Sequence, residues 1–132
     1  MFKGYYEQVN IICENVRKCQ NSEFEKVLND SMPDFPSIDC IYILHESGIQ
    51  LSETVCNLSK ERRKRNALFS PNKPGTDQSS KDYYMYIDEN QTTYVTDPYI
   101  SLASGITCVT ISKLIRTGMG QKLIVCIDFE FE

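Results

Sequence analysis

The first quarter of the chain has the hydrophobic pattern of a helix that buries one side. Val9, Ile12, Val16 and Cys19 recur at intervals of three and four residues. This spacing places the four side chains on one face of an α-helix. The pattern therefore predicts helical structure over residues 5–30, with one apolar stripe.

Two signals divide and end this helical region. Ser22 and Glu25 have the spacing of a capping box, in which two side chains satisfy free N–H groups at the start of a helix. We therefore expect a new helical turn to begin at Ser22. Pro33 and Pro36 follow, and we expect the helix to end there because proline forces extended backbone on the residue before it.

From residue 38 the pattern becomes that of β-strands. Residues 38–44 are a nearly continuous apolar run, and the residues from 49 onwards alternate between apolar and polar. The intervening sequence HESG, residues 45–48, is typical of a turn in which Gly48 adopts a positive φ. The pattern predicts a β-hairpin.

A long insertion over residues 57–92 interrupts the strand pattern. Residues 58–69 have the composition of a short charged helix, and residues 70–80 have that of a loop. Residues 80–87, rich in tyrosine, resume a helix or an extended turn. A long insertion between the strands of a small sheet more often has a function than not.

Three further strands are predicted, at residues 92–96, 106–115 and 122–131. The sequence RTGMGQ between the last two is typical of a hairpin turn. The order of elements predicts one α+β domain over residues 1–132, with helices packed on a five-stranded antiparallel sheet.

One face of the last two predicted strands carries small and polar side chains. Side chains alternate along a strand, so these residues share a face if the two strands pair. Small polar side chains leave room for a ligand, although a solvent-exposed face would also be polar. Cysteine is usually buried, so the cysteines on this face favour a covered face. The sequence DPYISLASG, residues 97–105, would form the mouth of a pocket there. The side chains that share this face form two rows, which are Cys108, Thr110 and Ser112 on one strand and Ile124, Cys126 and Asp128 on the other.

Charge and composition narrow the functional classes. The net charge of −4 argues against nucleic-acid binding, and the basic run at residues 60–65 is interpreted as a solvated helix face. No apolar run approaches the roughly 20 residues that cross a bilayer, and the first residues lack the apolar core of a signal peptide. We expect a cytoplasmic protein whose six cysteines are reduced.

The sequence also argues against catalysis. His45 is the single histidine and no CxxC occurs, so the spacing of a metal site is not met. Neither GxGxxG nor a P-loop is present. We therefore expect no metal, no cofactor and no enzymatic activity.

Several stretches resemble the PAS-like sensor domains called Cache or PDC domains. They are IDCIYILHESGIQLSET at residues 38–54, YVTDPYISLASGITCVTISKLI at 94–115 and LIVCIDFE at 123–130. The resemblance covers most of residues 24–130. PGTDQSSKDYYMY, residues 74–86, is similar to a motif of a sub-branch linked to bacterial cyclic-dinucleotide signalling proteins.

The resemblance implies a five-stranded antiparallel sheet, flanked by a long N-terminal helix and a helical insertion that forms a pocket. A small molecule would bind between the sheet and the insertion. The first helix would form a homodimer or pass the signal to an effector domain outside this chain. Well-known members lie outside the membrane between two membrane helices, which this sequence lacks. A cytoplasmic variant or an excised sensor is therefore implied.

Residues that bind ligands in this family come from the helix before the insertion, the insertion itself and the central strands. Carried over by position, the resemblance implies eight candidates here. They are Arg65, Phe69, Asp77, Tyr84, Tyr99, Ser101, Thr110 and Asp128.

Most of these candidates also have a purely structural explanation. Arg65 could belong to the charged helix face, Phe69 to the core, and Asp77 could cap a turn. Tyr84 could pack the insertion against the sheet.

The same holds for the candidates near and in the last strands. Ser101 could bond its own backbone, Thr110 could be an ordinary strand residue, and Asp128 could lie in water at a strand end. Tyr99 has the strongest functional case, because it follows Pro98 at the predicted mouth.

Two functions remain open at this point. The first is a ligand-sensing module of a bacterial signalling protein, which binds an amino acid or a carboxylate. Asp77 or Asp128 would hold an amine, and Arg65 would hold a carboxylate through paired N–H donors. The alternative is a dimerisation or scaffolding domain without a ligand.

Overall fold

The computed structural model describes residues 3–57, 71–101 and 105–131, and the predicted charged helix at 58–69 lies outside them. The predicted N-terminal helical region is confirmed, since Val9, Ile12 and Val16 are at most 1% exposed on one side of α1. None of the helices in the described stretches has the length and apolar character of a membrane span. The helical segments are α1 Lys3–Lys18, a 3-10 turn Asn21–Glu23, α2 Phe24–Ser31, a 3-10 turn Met32–Asp34 and α3 Asp82–Met85.

The predicted capping box is displaced. The backbone N–H of Gln20 donates to Glu23 Oε1 at 2.9 Å, and the N–H of Glu23 donates to the carbonyl of Gln20 at 2.9 Å. The reciprocal contact therefore joins Gln20 and Glu23, and the expected one between Ser22 and Glu25 was wrong. α2 begins at Phe24, which is 2% exposed, so packing of this ring into the core places the start of the helix.

The predicted antiparallel sheet is confirmed. Within the described residues it has the strand order β2-β1-β6-β5-β3, and β4 also pairs with β5. All the pairings are antiparallel. β4 is an additional short strand that the hydrophobic pattern did not predict. The strands are β1 Ile38–His45, β2 Val55–Cys56, β3 Thr93–Val95, β4 Tyr99–Ile100, β5 Thr107–Arg116 and β6 Lys122–Glu130.

The second arm of the first hairpin is more irregular than predicted. β2 contains only two residues, although the alternating pattern begins at residue 49. The hydroxyl of Ser52 accepts the backbone N–H of Ile43 at 2.9 Å, a position that a strand carbonyl would otherwise occupy. Side-chain hydrogen bonds thus replace part of the backbone ladder, which is why the expected long strand does not form.

The turn of this hairpin agrees with the prediction. Gly48 has a φ of +94°, a conformation that favours glycine. It also lies against the insertion, since a Cβ placed on Gly48 would be 2.8 Å from the Cβ of Ser79. This turn therefore supports the loop that leads into α3.

Helices α1 and α2 cover one face of the sheet. The main core lies between these helices and the sheet. From the sheet it includes Ile41, Val109, Ile127 and Phe129, each of which is fully buried. Burial of such side chains contributes roughly 1.5–3 kcal/mol each to folding. Because these two helices pack on one face only, the opposite face of the sheet can carry side chains other than those of this apolar core.

The opposite face carries the two small polar rows, and the predicted pairing is confirmed. Thr110 lies opposite Asp128 and Ser112 lies opposite Cys126 in the register of β5 and β6. Thr110 and Ser112 are 0% exposed and Asp128 is 2% exposed. This is a covered face, because side chains of a solvent face would not be buried.

Candidate functional site

A cavity of about 330 Å³ lies on this second face of the sheet. Strands β1 and β6 supply its floor, residues 72–83 of the insertion supply one wall, and residues 97–101 supply the other. Its volume falls at the lower end of the range for small-molecule sites. The lining residues are Tyr42, Thr54, Asn72, Gln78, Lys81, Asp82, Tyr83, Asp97, Pro98, Tyr99, Ser101 and Asp128.

Asp128 is the buried charged group of the floor. Its Oδ1 accepts the hydroxyl of Thr110 at 2.7 Å and the hydroxyl of Tyr42 at 3.3 Å. Burial raises the pKa of Asp128 to about 7, and the two hydrogen bonds oppose that rise. The carboxyl group therefore titrates near neutral pH and can meet a ligand in either protonation state.

Tyr99 extends this network towards the mouth of the cavity. Its hydroxyl lies 2.5 Å from Thr110 Oγ1. Thr110 has a single hydroxyl proton, so when Asp128 is ionised Thr110 donates to the carboxylate and Tyr99 donates to Thr110. Burial is the main cause that raises the pKa of Tyr99, followed by the nearby Asp128. Tyr99 is thus a neutral donor whose orientation is set by the charge on Asp128.

A second network fastens the insertion to the rest of the domain. The hydroxyl of Tyr83 donates to Gln78 Oε1, and Gln78 Nε2 donates to Gln50 Oε1 at 2.6 Å. Gln50 Nε2 in turn bonds the hydroxyl of Thr54 at 2.9 Å. The hydroxyl of Ser112 bonds the backbone carbonyl of Tyr83 at 2.6 Å. The wall formed by the insertion is thus held by satisfied buried polar groups, which position its lining side chains.

Aromatic packing completes the cavity. The rings of Tyr42 and Tyr83 meet edge to face, with centroids 5.9 Å apart. Burial raises the pKa of Tyr83 and of Tyr42, so both phenols are neutral. The cavity consequently combines aromatic walls with a carboxyl floor.

The charges at the rim are mixed. Lys81, Asp82 and Asp97 line the cavity and are exposed. Within the part of the chain that the structure describes, the entrance thus carries one cation and two carboxylates.

Four of the predicted site residues come together. Tyr99, Ser101 and Asp128 line the cavity, and Thr110 lies between Tyr99 and Asp128 as the hydrogen-bonded link. Tyr99 and Thr110 are separated by eleven residues in sequence and belong to the paired strands β4 and β5.

Two other predicted residues are placed elsewhere. Asp77 is exposed, and its Oδ1 accepts the backbone N–H of Ser79 at 2.9 Å, as in a capped turn. The hydroxyl of Tyr84 donates to the carbonyl of Glu46 at 2.7 Å, which packs the insertion on the hairpin turn. Arg65 and Phe69 lie outside the described residues.

Sequence reasoning missed several lining residues. Tyr42 is the clearest case, because it lies within the nearly continuous apolar run of residues 38–44, where the alternation that places it beside Cys126 on the polar face is hard to recognise. Tyr83, Gln78 and Lys81 lie in an insertion whose fold the pattern does not specify. Alternation along β1 could have identified Tyr42, whereas the others depend on long-range contacts.

Comparison with known families and curated proteins gives a limited result. No family model matches the chain. The chain is 28% identical over 89 residues to a Citrate (Re)-synthase of Syntrophus aciditrophicus (strain SB). That match covers 67% of this chain and 13% of the synthase, so it does not establish a family.

Solved structures give a consistent fold. The sensory domain of the Campylobacter jejuni chemoreceptor Tlp3, with isoleucine bound, matches 94% of this chain with a TM-score of 0.71 and 12% identity. The ligand-binding domain of the Pseudomonas aeruginosa PAO1 amino acid chemoreceptor PctC, in complex with GABA, matches 98% with a TM-score of 0.64 and 16% identity. The Bacillus subtilis YkuI protein, which has an EAL domain and was solved with c-di-GMP and calcium, matches 98% with a TM-score of 0.65 and 20% identity.

These likenesses establish the fold. The chain spans 49% of the Tlp3 chain, 55% of the PctC chain and 32% of the YkuI chain. Its fold is that of PAS-like sensor domains, as the resemblance to Cache and PDC domains implied. A fold at this level of identity does not identify a ligand.

Proposed function

We propose that this chain is a small-molecule-sensing module of a bacterial signalling protein. It binds a small metabolite, such as an amino acid or a carboxylate, between the sheet and the insertion. The observation that carries this proposal is the buried Asp128 on the floor of a cavity of about 330 Å³. Burial of a carboxyl group is costly for folding, and a buried carboxyl group with a raised pKa in a cavity is a candidate for a functional site.

The lining favours a ligand with an amine and a carboxylate. The ammonium group would meet Asp128 on the floor, and Lys81 at the rim would meet the carboxylate. The tyrosine rings would contact an apolar side chain. The amino acids bound to Tlp3 and PctC support this class of ligand by analogy of fold.

Ser101 and Tyr99 would bind the ligand from the mouth, and Thr110 would act through Asp128. Asp77, Tyr84, Arg65 and Phe69 remain proposals carried over by position. In this proposal the module acts in the cytoplasm, where its cysteines stay reduced.

Signal output requires a partner. Ile11 on α1 is 50% exposed, and an exposed apolar residue on the first helix supports its proposed role in a homodimer or in contact with an effector domain. Ligand binding would shift the population towards the helix arrangement that the ligand binds more tightly. The free energy of that shift is limited by the difference in the ligand's affinity for the two arrangements.

A thermal-shift screen tests the proposed function. The purified chain is heated with amino acids, small carboxylates, amines and purines. A ligand at about 100 times its Kd stabilises the folded state by about 2.7 kcal/mol, which raises the melting temperature of a domain of this size by roughly 10 °C. We expect a shift from an amino acid or a related zwitterion.

Matched variants locate the binding. Asp128→Asn and Tyr99→Phe should abolish or reduce the shift, whereas Glu7→Gln, which changes an exposed carboxylate on α1 away from the cavity, should preserve it. A shift that survives in Asp128→Asn would place the ligand elsewhere. No shift with any compound would favour the scaffolding function.

A further inference from the structure

A pair of cysteines lies at the edge of the sheet. Cys40 on β1 and Cys56 on β2 are direct partners in the antiparallel register. Their Sγ atoms are 2.6 Å apart in a thiol–thiol contact. None of the six cysteines, all of which lie in the described residues, forms a disulfide in this structure, so Cys40 and Cys56 are in contact without a covalent bond.

The backbone geometry at this position suits a disulfide. The N–H of Asn57 donates to the carbonyl of Asp39 at 2.8 Å, which identifies these neighbours as the hydrogen-bonded pair. Cys40 and Cys56 therefore occupy the adjacent non-hydrogen-bonded pair, where Cα atoms are typically about 4.5 Å apart and side chains are closest. Disulfides form at Cα separations of about 4.4–6.8 Å. No strand has to move far for the bond to form.

The two thiols differ in access. Cys56 is half-buried, whereas Cys40 is fully buried. The hydrogen bond with Cys56, then burial, raise the pKa of the Cys40 thiol well above its usual range. Cys56 is therefore the thiol that an oxidant in solution reaches first, and Cys40 is placed to react second.

We propose that Cys40 and Cys56 are a reversible redox pair that closes to a disulfide when the protein meets a peroxide. The Cys56 thiolate attacks one oxygen of hydrogen peroxide, which breaks the O–O bond and gives a sulfenic acid and hydroxide. The sulfur of Cys40 then attacks the sulfur of the sulfenic acid, and water leaves with the Cys40 proton. In sum, two thiols and one peroxide give one disulfide and two waters.

Reduction reverses the bond. A dithiol reductant attacks the disulfide, forms a mixed disulfide, and then closes on itself to release the two protein thiols. Its two thiol hydrogens end on Cys40 and Cys56, so the exchange balances without another reactant.

The pair lies next to the candidate ligand site. Cys40 is the register partner of Asp128 across β1 and β6. Thr54, two residues before Cys56, lines the cavity. A disulfide would fasten the two-residue strand β2 to the floor strand β1, so oxidation would hold the segment that carries Thr54 in place beside the cavity.

Peptide mapping tests the proposal without any ligand. The reduced, folded chain is treated with increasing hydrogen peroxide, and free thiols are then alkylated. Trypsin releases residues 27–60 as one peptide that contains Cys40 and Cys56 and no other cysteine. We expect the mass of this peptide to fall by that of two hydrogen atoms, and its two cysteines to escape alkylation. This change should occur at lower peroxide concentrations than the oxidation of the other cysteines.

A second protease confirms the connection. Cleavage after Glu46 and Glu53 separates Cys40 from Cys56, so the two fragments stay together only through a disulfide. A dithiol reductant should separate them and restore alkylation of both thiols.

Matched variants make the result decisive. Cys19→Ser removes another half-buried cysteine, from the end of α1, and should leave the disulfide intact. Cys40→Ser and Cys56→Ser should abolish it, and Cys40→Ser should leave a sulfenic acid on Cys56 that a dimedone probe labels. Oxidation of the unfolded chain in guanidinium should lose the preference for this pair.

The proposal is overturned if the folded chain keeps both thiols alkylatable while Cys19 is oxidised. It is equally overturned if Cys56 is found bonded to a cysteine other than Cys40. Circular dichroism on each variant separates these outcomes from loss of the fold.

Discussion

Thr110 Oγ1 and Asp128 Oδ1 lie 2.7 Å apart across the paired strands β5 and β6. Both side chains are almost fully buried. The same threonine hydroxyl lies 2.5 Å from the hydroxyl of Tyr99 at the mouth of the cavity. One hydroxyl thus connects the carboxyl group on the floor with an aromatic donor at the entrance.

The stability of the domain should depend on pH through Asp128. Burial raises the pKa of this carboxyl group from 3.8 to about 7. Between these values the folded state binds more protons than the unfolded state, so the free energy of unfolding should fall as pH rises from about 4 to about 7. One group contributes at most about 1.4 kcal/mol per pH unit. Below about pH 4 the contribution is fully present, and above about pH 7 it is lost.

Urea unfolding of the wild type and Asp128→Asn at several pH values measures this contribution. We expect the variant to lose the downward slope between pH 5 and 7, because its amide does not titrate. Asp77→Asn is the matched control and should keep the wild-type slope there, since the pKa of exposed Asp77 is lowered by hydrogen bonds from Ser79. Equal slopes in wild type and Asp128→Asn would contradict the prediction.

Replacement of Thr110 by valine should destabilise the domain. The change preserves the shape of the side chain but removes the donor to Asp128 and the acceptor for Tyr99. Leaving buried polar partners unsatisfied costs about 1–3 kcal/mol. The pKa of Asp128 should also rise further, because the Thr110 hydrogen bond lowers it.

Denaturant unfolding, together with titration of the Asp128 carboxyl by isotope-edited NMR, checks both effects. Thr107→Val, an exposed position on the same strand, is the control and should change the free energy of unfolding very little. An unchanged titration midpoint in Thr110→Val would show that the hydroxyl does not interact with the carboxylate.

Gly48 should tolerate alanine less well than Gly75 does. Both have a positive φ, +94° and +93°, so both substitutions incur the same backbone cost. Only at Gly48 would the new methyl group meet another residue, since it would lie 2.8 Å from Ser79 Cβ, whereas nothing lies within 4 Å at Gly75. Crowding of this kind typically costs about 1–3 kcal/mol more.

Thermal and urea unfolding of Gly48→Ala and Gly75→Ala give the difference directly. We expect Gly48→Ala to be the less stable variant and, if the ligand is known, to bind it more weakly, because the displaced loop leads into α3. Equal destabilisation by the two substitutions would show that the contact with Ser79 adjusts at no cost.

Local patterning determined much of this protein. The helix spacing of Val9, Ile12 and Val16 and the strand alternation around Thr110 and Asp128 are properties of neighbouring residues, so the sequence alone predicts α1 and the α+β sheet. The same alternation predicts a polar row on β5 facing a polar row on β6. The resemblance to sensor domains adds Tyr99 and Ser101 near that row.

Tertiary structure decided the rest. Hydrogen bonds of Gln50 and Ser52 with distant groups shorten β2, and α3 positions Tyr83 against Tyr42. The contact of Cys40 with Cys56 also depends on the register of two strands, which no local pattern encodes. Pairing register and buried hydrogen bonds join residues far apart in the chain, so their energies are settled only when the whole sheet is assembled.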